Sequence, residues 1–121
     1  MTPNLIILYV ADPERSTAFY ESLLGAIPVE RSPTFAMFVF PGGIKLGLWS
    51  RQSVEPAVTG GTGAFEICVP LANAAEVDTV FARLSAAGHV ILQEPTDMEF
   101  GRNFMVADPD QHRIRFYNPP V

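Results

Sequence analysis

Asp108-Pro109-Asp110-Gln111-His112-Arg113-Ile114-Arg115-Phe116 is a turn that runs straight into a strand with an arginine at its centre. Asp and Pro set the turn, and strict alternation of polar and apolar residues sets the strand. Working back from this segment, the same order of elements occurs twice. Val10-Ala11-Asp12-Pro13 leads into a helical pattern carrying Phe19 and Leu23 and ending at Gly25. Val69-Pro70-Leu71-Ala72-Asn73 leads into one carrying Phe81 and Leu84 and ending at Gly88. Each half is a strand, a helix and three short strands, so the expected fold is α+β with two βαβββ modules, residues 1–55 and 56–121. Two half-barrels placed edge to edge enclose a cavity, and what lines that cavity decides what the protein does.

The local signals agree with this division. Leu5 to Val10 is almost wholly apolar, as suits a strand covered on both faces. Asp12 is a good N-cap, Pro13 fits the first helical position, and Gly25 ends the helix, whose buried stripe is Phe19, Tyr20, Leu23 and Leu24. Strands are expected near Ile27–Glu30, Phe35–Phe40 and Ile44–Trp49, with Pro41-Gly42-Gly43 as the hairpin turn. Ser50 to Thr62 lacks apolar periodicity and links the modules. The second module starts at Gly63–Val69. Asn73 with Glu76 three residues on forms a capping-box-like start before Val77, Val80, Phe81 and Leu84. Strands follow near Val90–Leu92, Asn103–Ala107 and Arg113–Tyr117, and Pro95 to Gly101 makes an excursion between the first two.

Composition narrows the function classes. Of 121 residues, 48 % are hydrophobic and 17 % charged, the balance of an ordered globular chain. A net charge of −5, from 8 basic and 13 acidic residues, leaves no basic stripe for nucleic acid. No apolar run approaches the roughly 18 residues that span a bilayer. The N-terminus lacks a positive region ahead of its apolar segment, so no signal peptide is expected. A single cysteine, Cys68, excludes an internal disulfide and suits a reducing compartment; a cytoplasmic protein is expected.

The paired pattern resembles the vicinal oxygen chelate superfamily, which groups glyoxalase, extradiol dioxygenases, fosfomycin-modifying enzymes and bleomycin-resistance proteins. The resemblance rests at the front on Val10-x-Asp12-x-x-x-Ser16-x-x-Phe19-Tyr20-x-x-x-Leu24-Gly25. At the back it rests on Glu94-Pro95, Phe100-Gly101-Arg102 and Asp108-Pro109-Asp110-x-His112. Thr2-Pro3-Asn4-Leu5, Glu14-Arg15-Ser16-Thr17, Leu48-Trp49-Ser50 and Phe100-Gly101-Arg102 are similar to the branch that includes phenazine-antibiotic resistance proteins. The resemblance implies the glyoxalase/bleomycin-resistance fold, commonly as a homodimer. It also implies metal-ligand positions on the first and last strand of each module. Counted from the motifs, those positions are Leu5, Gly47, Ala64 and Arg115. Three have no side-chain lone pair and the fourth is a permanent cation, so no metal or other cofactor is expected. A slip of one residue gives still more apolar side chains, and the expectation survives it.

Alternation outward from those positions gives the cavity face: Leu5, Ile7 and Tyr9; Lys45, Gly47 and Trp49; Ala64, Glu66 and Cys68; Arg113, Arg115 and Tyr117. Trp49 is the expected stacking surface for a flat ring, with Gly47 beside it leaving room for the ligand. Tyr9, Phe38, Phe40, Phe100 and Tyr117 are candidate walls. Glu66 and Arg115 either neutralise each other or divide the polar substituents of a ligand, Arg115 taking a carboxylate or phenolate. Arg113 and Lys45 are expected at the solvent rim. His112 and His89 have no inward partner and are read as structural, as is Arg102, tied to Asp108 or Asp97. Cys68 is expected to pack inertly.

The function expected is metal-free binding and sequestration of a planar aromatic antibiotic or natural product, of the phenazine, quinoxaline, quinoline or bleomycin type. That would confer drug resistance without catalysis. The alternatives are a metal-dependent enzyme of the glyoxalase or dioxygenase type, and a metal-free enzyme or accessory protein in natural-product biosynthesis, with Glu66 or Tyr9 as acid or base.

Overall fold

The computed structural model describes residues 1–99 and 101–119, and the chain divides into two compact units, Met1–Gly60 and Gly61–Val121. The first holds β1 (Leu5–Val10), α1 (Pro13–Leu24), β2 (Glu30–Arg31), β3 (Phe35–Val39) and β4 (Lys45–Ser50). The second holds β5 (Glu66–Pro70), α2 (Ala74–Ala86), β6 (Val90–Met98), β7 (Gly101–Ala107) and β8 (Arg113–Tyr117). Strand order is β1-β4-β3-β2 in one sheet and β5-β8-β7-β6 in the other. The repeat is therefore one topology used twice, with a parallel first pair and antiparallel hairpins outward from it.

The helix starts follow from capping. Asp12 accepts from the backbone N–H of Glu14 at 3.0 Å and of Arg15 at 3.4 Å, satisfying donors that have no partner inside the helix. Asn73 accepts from Glu76 N–H at 2.8 Å, and Glu76 reaches back to the N–H of Ala72 at 3.3 Å. This is a capping box displaced by one residue on its return arm. Gly25, at φ 65, closes α1 in the left-handed conformation.

One face of each sheet is buried with its own helix. In the first unit Leu8, Val10, Ala36, Phe38, Leu46 and Leu48 form that core with Tyr20 and Leu23. In the second, Phe104, Val106, Ile114 and Phe116 do so with Val77, Val80 and Leu84. Phe104 and Phe116 lie nearly parallel at 5.1 Å, and Phe81 meets Phe104 edge-on at 5.4 Å.

Several boundaries differ from the expectation. The buried stripe of α1 is Pro13, Ser16, Thr17, Tyr20 and Leu23, with Phe19 and Leu24 only half-buried. Small hydroxyl residues let that helix lie close to the sheet, which apolar counting alone does not see. Strand β2 is only Glu30–Arg31 rather than Ile27–Glu30. Strand β6 runs through Pro95 to Met98, where a loop excursion was expected. It is an edge strand with register shifts between Ile91 and Gln93 and between Gln93 and Thr96, and an edge strand tolerates a missing N–H. Strand β5 begins at Glu66, so Ala64 precedes it in the connecting loop instead of lying on its inward face.

Candidate functional site

The face of each sheet turned away from its helix carries the chemistry-bearing residues. In the first unit, the parallel register sets Tyr9 beside Trp49 and Ile7 beside Gly47. The antiparallel register sets Phe35 beside Trp49 and Met37 beside Gly47. The Trp49 ring is half-buried and flanked edge-on by Tyr9 at 6.3 Å and 75°, and by Phe35 at 6.5 Å and 84°. Two perpendicular neighbours hold the indole in place by its edges, the arrangement aromatic quadrupoles favour. Tyr9 is 38 % exposed and Ile7 36 %, so this aromatic face is open in the unit.

Gly47 has a different role from the one expected. A Cβ there would stand 3.0 Å from Phe35 Cζ and 3.3 Å from Ile7 Cγ1. The absent side chain makes room for the Phe35 ring rather than for an approaching ligand. Phe38 is corrected as well. At 0 % exposure it lies on the helix-covered face, in register with Leu46, and Phe40 stacks on it at 6.3 Å. Neither belongs to the open face. Phe35 was missed, yet counting equal steps back from the Pro41-Gly42-Gly43 turn puts it opposite Trp49. The same count puts Phe38 opposite Leu46. Phe100 lies outside the described residues.

In the second unit Glu66 and Arg115 share the open face and pair with each other. Arg115 Nε donates to both Glu66 oxygens, at 3.1 and 3.0 Å, and Nη2 stands 3.0 Å from Oε2. Nη1 donates to Gln93 Oε1 at 2.9 Å and to Asn103 Oδ1 at 2.6 Å. Asn103 is fully buried, and its amide donates in turn to the carbonyls of Thr96 and Gly101, each at 3.2 Å. Gln93 and Asn103 escaped the sequence reading because nothing local marks them. They reach Arg115 through the bulged β6 and through the β7–β8 register. Tyr117 is half-buried on the same face, in register with Asn103 and Pro70.

Cys68, in register with Arg115, is exposed rather than packed away. Partial desolvation, then the charge and hydrogen bond of Glu66, push its thiol above the ordinary cysteine range, while Arg115 pulls the other way. The thiol is held protonated at neutral pH and is a poor nucleophile. Arg102 bonds Asp97 at 3.0 Å and Asp78 at 2.9 Å, not Asp108. Asp108 instead receives the N–H groups of Asp110 and His112, each at 2.8 Å, which builds the turn before β8. His112 is buried in that turn, and burial pushes the His89 imidazole below its ordinary pKa.

A cavity of about 320 Å³ lies against this face, lined by Gly63, Ala64, Phe65, Glu66, Arg113 and Arg115. Among the described residues, no three His, Cys, Asp or Glu side chains gather where they could hold a metal ion. Leu5 and Gly47 offer no donor atom, and the Arg115 nitrogens are engaged with oxygen acceptors. This donor set does not fit a divalent cation.

The family model described as the Glyoxalase/Bleomycin resistance protein/Dioxygenase superfamily matches residues 2–116. The chain is 33 % identical over 118 residues to the phenazine antibiotic resistance protein EhpR of Enterobacter agglomerans, covering 95 % of this chain and 90 % of that protein. It is 33 % identical over 109 residues to the catechol-2,3-dioxygenase of Bacillus subtilis (strain 168), spanning only 36 % of that enzyme. The solution NMR structure of an Agrobacterium tumefaciens protein superimposes with a TM-score of 0.89 at 49 % identity, over the full length of both chains.

Proposed function

The chain belongs to the glyoxalase/bleomycin resistance protein/dioxygenase superfamily, and we propose that this member binds and sequesters a planar aromatic antibiotic or natural product without transforming it. The observation that carries the reading is the Trp49 ring, braced edge-on by Tyr9 and Phe35 on a face that no helix of its unit covers. A flat heteroaromatic ring laid on that surface gains stacking of about 0.5–1.5 kcal/mol beyond area burial. Burying about 300 Å² of apolar ligand surface contributes about 7 kcal/mol before ordering costs, compatible with micromolar binding. The likeness to the phenazine antibiotic resistance protein supports a ligand of that shape. The residues at the family's metal positions support binding without a metal, and the protein acts in the cytoplasm, as a homodimer.

The likeness to a dioxygenase keeps the metal-enzyme reading open to the same experiment. Phenazine is titrated into the protein while its one tryptophan is followed by fluorescence. Saturable quenching that EDTA leaves unchanged is expected; for Trp49→Ala, which lacks the reporter, equilibrium dialysis should show phenazine binding about tenfold weaker. Stoichiometric metal in the purified protein, with catechol cleavage that EDTA abolishes, would replace this reading with the enzymatic one.

A further inference from the structure

We infer that the cavity of the second unit is a subsite for a carboxylate, and that Arg113, rather than Arg115, is the residue that holds it. The inference rests on the proposed reading that the protein takes planar aromatic molecules, and it gives the cavity of the second unit a planar aromatic carboxylic acid as its ligand.

Arg115 is already committed. Its Nε and Nη2 are held by Glu66, and its Nη1 by Gln93 and Asn103. A ligand carboxylate can claim this guanidinium only by displacing Glu66, which exchanges one carboxylate for another and strands a charge that is two-thirds buried. Arg113 stands two residues earlier on the same face of β8, in register with Glu66 on β5. It lines the same cavity and is exposed, and among the described residues its side chain makes no hydrogen bond or ion pair.

The charge around the cavity points the same way. Two arginines against one glutamate leave a single net positive charge on the lining, within a chain whose net charge is −5. The neighbouring Cys68 thiol adds no negative charge while it remains protonated. A local reversal of sign across this open recess favours anions there over the rest of an acidic surface. The planar fork of a guanidinium matches a carboxylate bidentately, a fit that ammonium lacks. The other wall suits an aromatic acid, since Phe65 is 45 % exposed beside the small Gly63 and Ala64. The volume of about 320 Å³ falls at the lower end of small-molecule sites.

Equilibrium dialysis with phenazine-1-carboxylate and unsubstituted phenazine separates the two readings, because it does not depend on the tryptophan. The wild-type protein is expected to prefer the carboxylate by about five- to tenfold at low ionic strength, and the preference shrinks as salt screens it. Arg113→Gln should remove that preference while leaving the affinity for phenazine unchanged, and Arg113→Lys should keep part of it. A carboxylate preference that persists in Arg113→Gln, or is absent from the wild type, overturns this inference and leaves aromatic binding standing. Failure of the wild type to bind either compound overturns both.

Discussion

The guanidinium of Arg115 is the most heavily bonded side chain of the open faces, and it orders its surroundings rather than waiting for a ligand. Arg115→Met would leave Glu66, Gln93 and the buried Asn103 each short of a donor. We expect a loss of about 1–3 kcal/mol in urea unfolding, the range for stranded polar groups that remain partly solvated. Glu66→Gln keeps an acceptor for the arginine and should cost less, about 1 kcal/mol. Cys68 reports on the same pair. Its raised pKa means that less thiolate is present at a given pH than in a free cysteine. Alkylation by iodoacetamide at pH 8 should therefore be slower in the folded protein than in urea, and should accelerate as pH rises. Glu66→Gln removes a negative neighbour and an acceptor for the thiol, so it should speed the reaction severalfold. A folded-state rate equal to that in urea would contradict this account.

At the scale of elements, caps and turns bear on stability unequally. Asn73→Ala removes the acceptor for Glu76 N–H and should cost about 1 kcal/mol. Gly101, at φ 114, opens β7 where a Cβ would fall on the Asn118 carbonyl oxygen, next to the bond from Asn118 N–H to the Arg102 carbonyl at 2.9 Å. Gly42, at φ 94 in the β3–β4 turn, has open space around it. Gly101→Ala should therefore cost about 3 kcal/mol or more, against about 1 kcal/mol for Gly42→Ala, since only the first adds a clash to backbone strain. Comparable midpoints for the two variants in urea would contradict the crowding at Gly101. The bulges and Pro95 of β6 serve a separate end, since an irregular edge strand resists pairing with other chains.

For the whole molecule, each unit presents a sheet with one face packed on its helix; Leu5, Ile7 and Tyr9 are exposed on the other face of the first, Cys68 on that of the second, and Ile44 and Phe65 are exposed just ahead of β4 and β5. Apolar side chains left at the surface in this number favour self-association. Sedimentation equilibrium of the purified protein should give twice the chain mass at micromolar concentration; a monomer at all concentrations would remove the homodimer from the proposed function. No helix among the described residues is long and apolar enough to cross a membrane.

What local chemistry dictates was legible in the chain. Capping side chains, turn formers and period-two alternation act over a few residues, so both helices, the hairpin at Gly42, the strand around Arg115 and the doubled topology could be read directly. Alternation likewise assigned the helix-facing and open sides of the strands, with Leu46 and Leu48 inside and Trp49 on the open side. The partners of those open residues were decided only by tertiary structure. Register across separate strands brings Phe35 to Trp49 and fills the space at Gly47, and a bulged edge carries Gln93 to Arg115. Such contacts join residues distant in the chain, and a pairing shifted by one position would exchange every one of them.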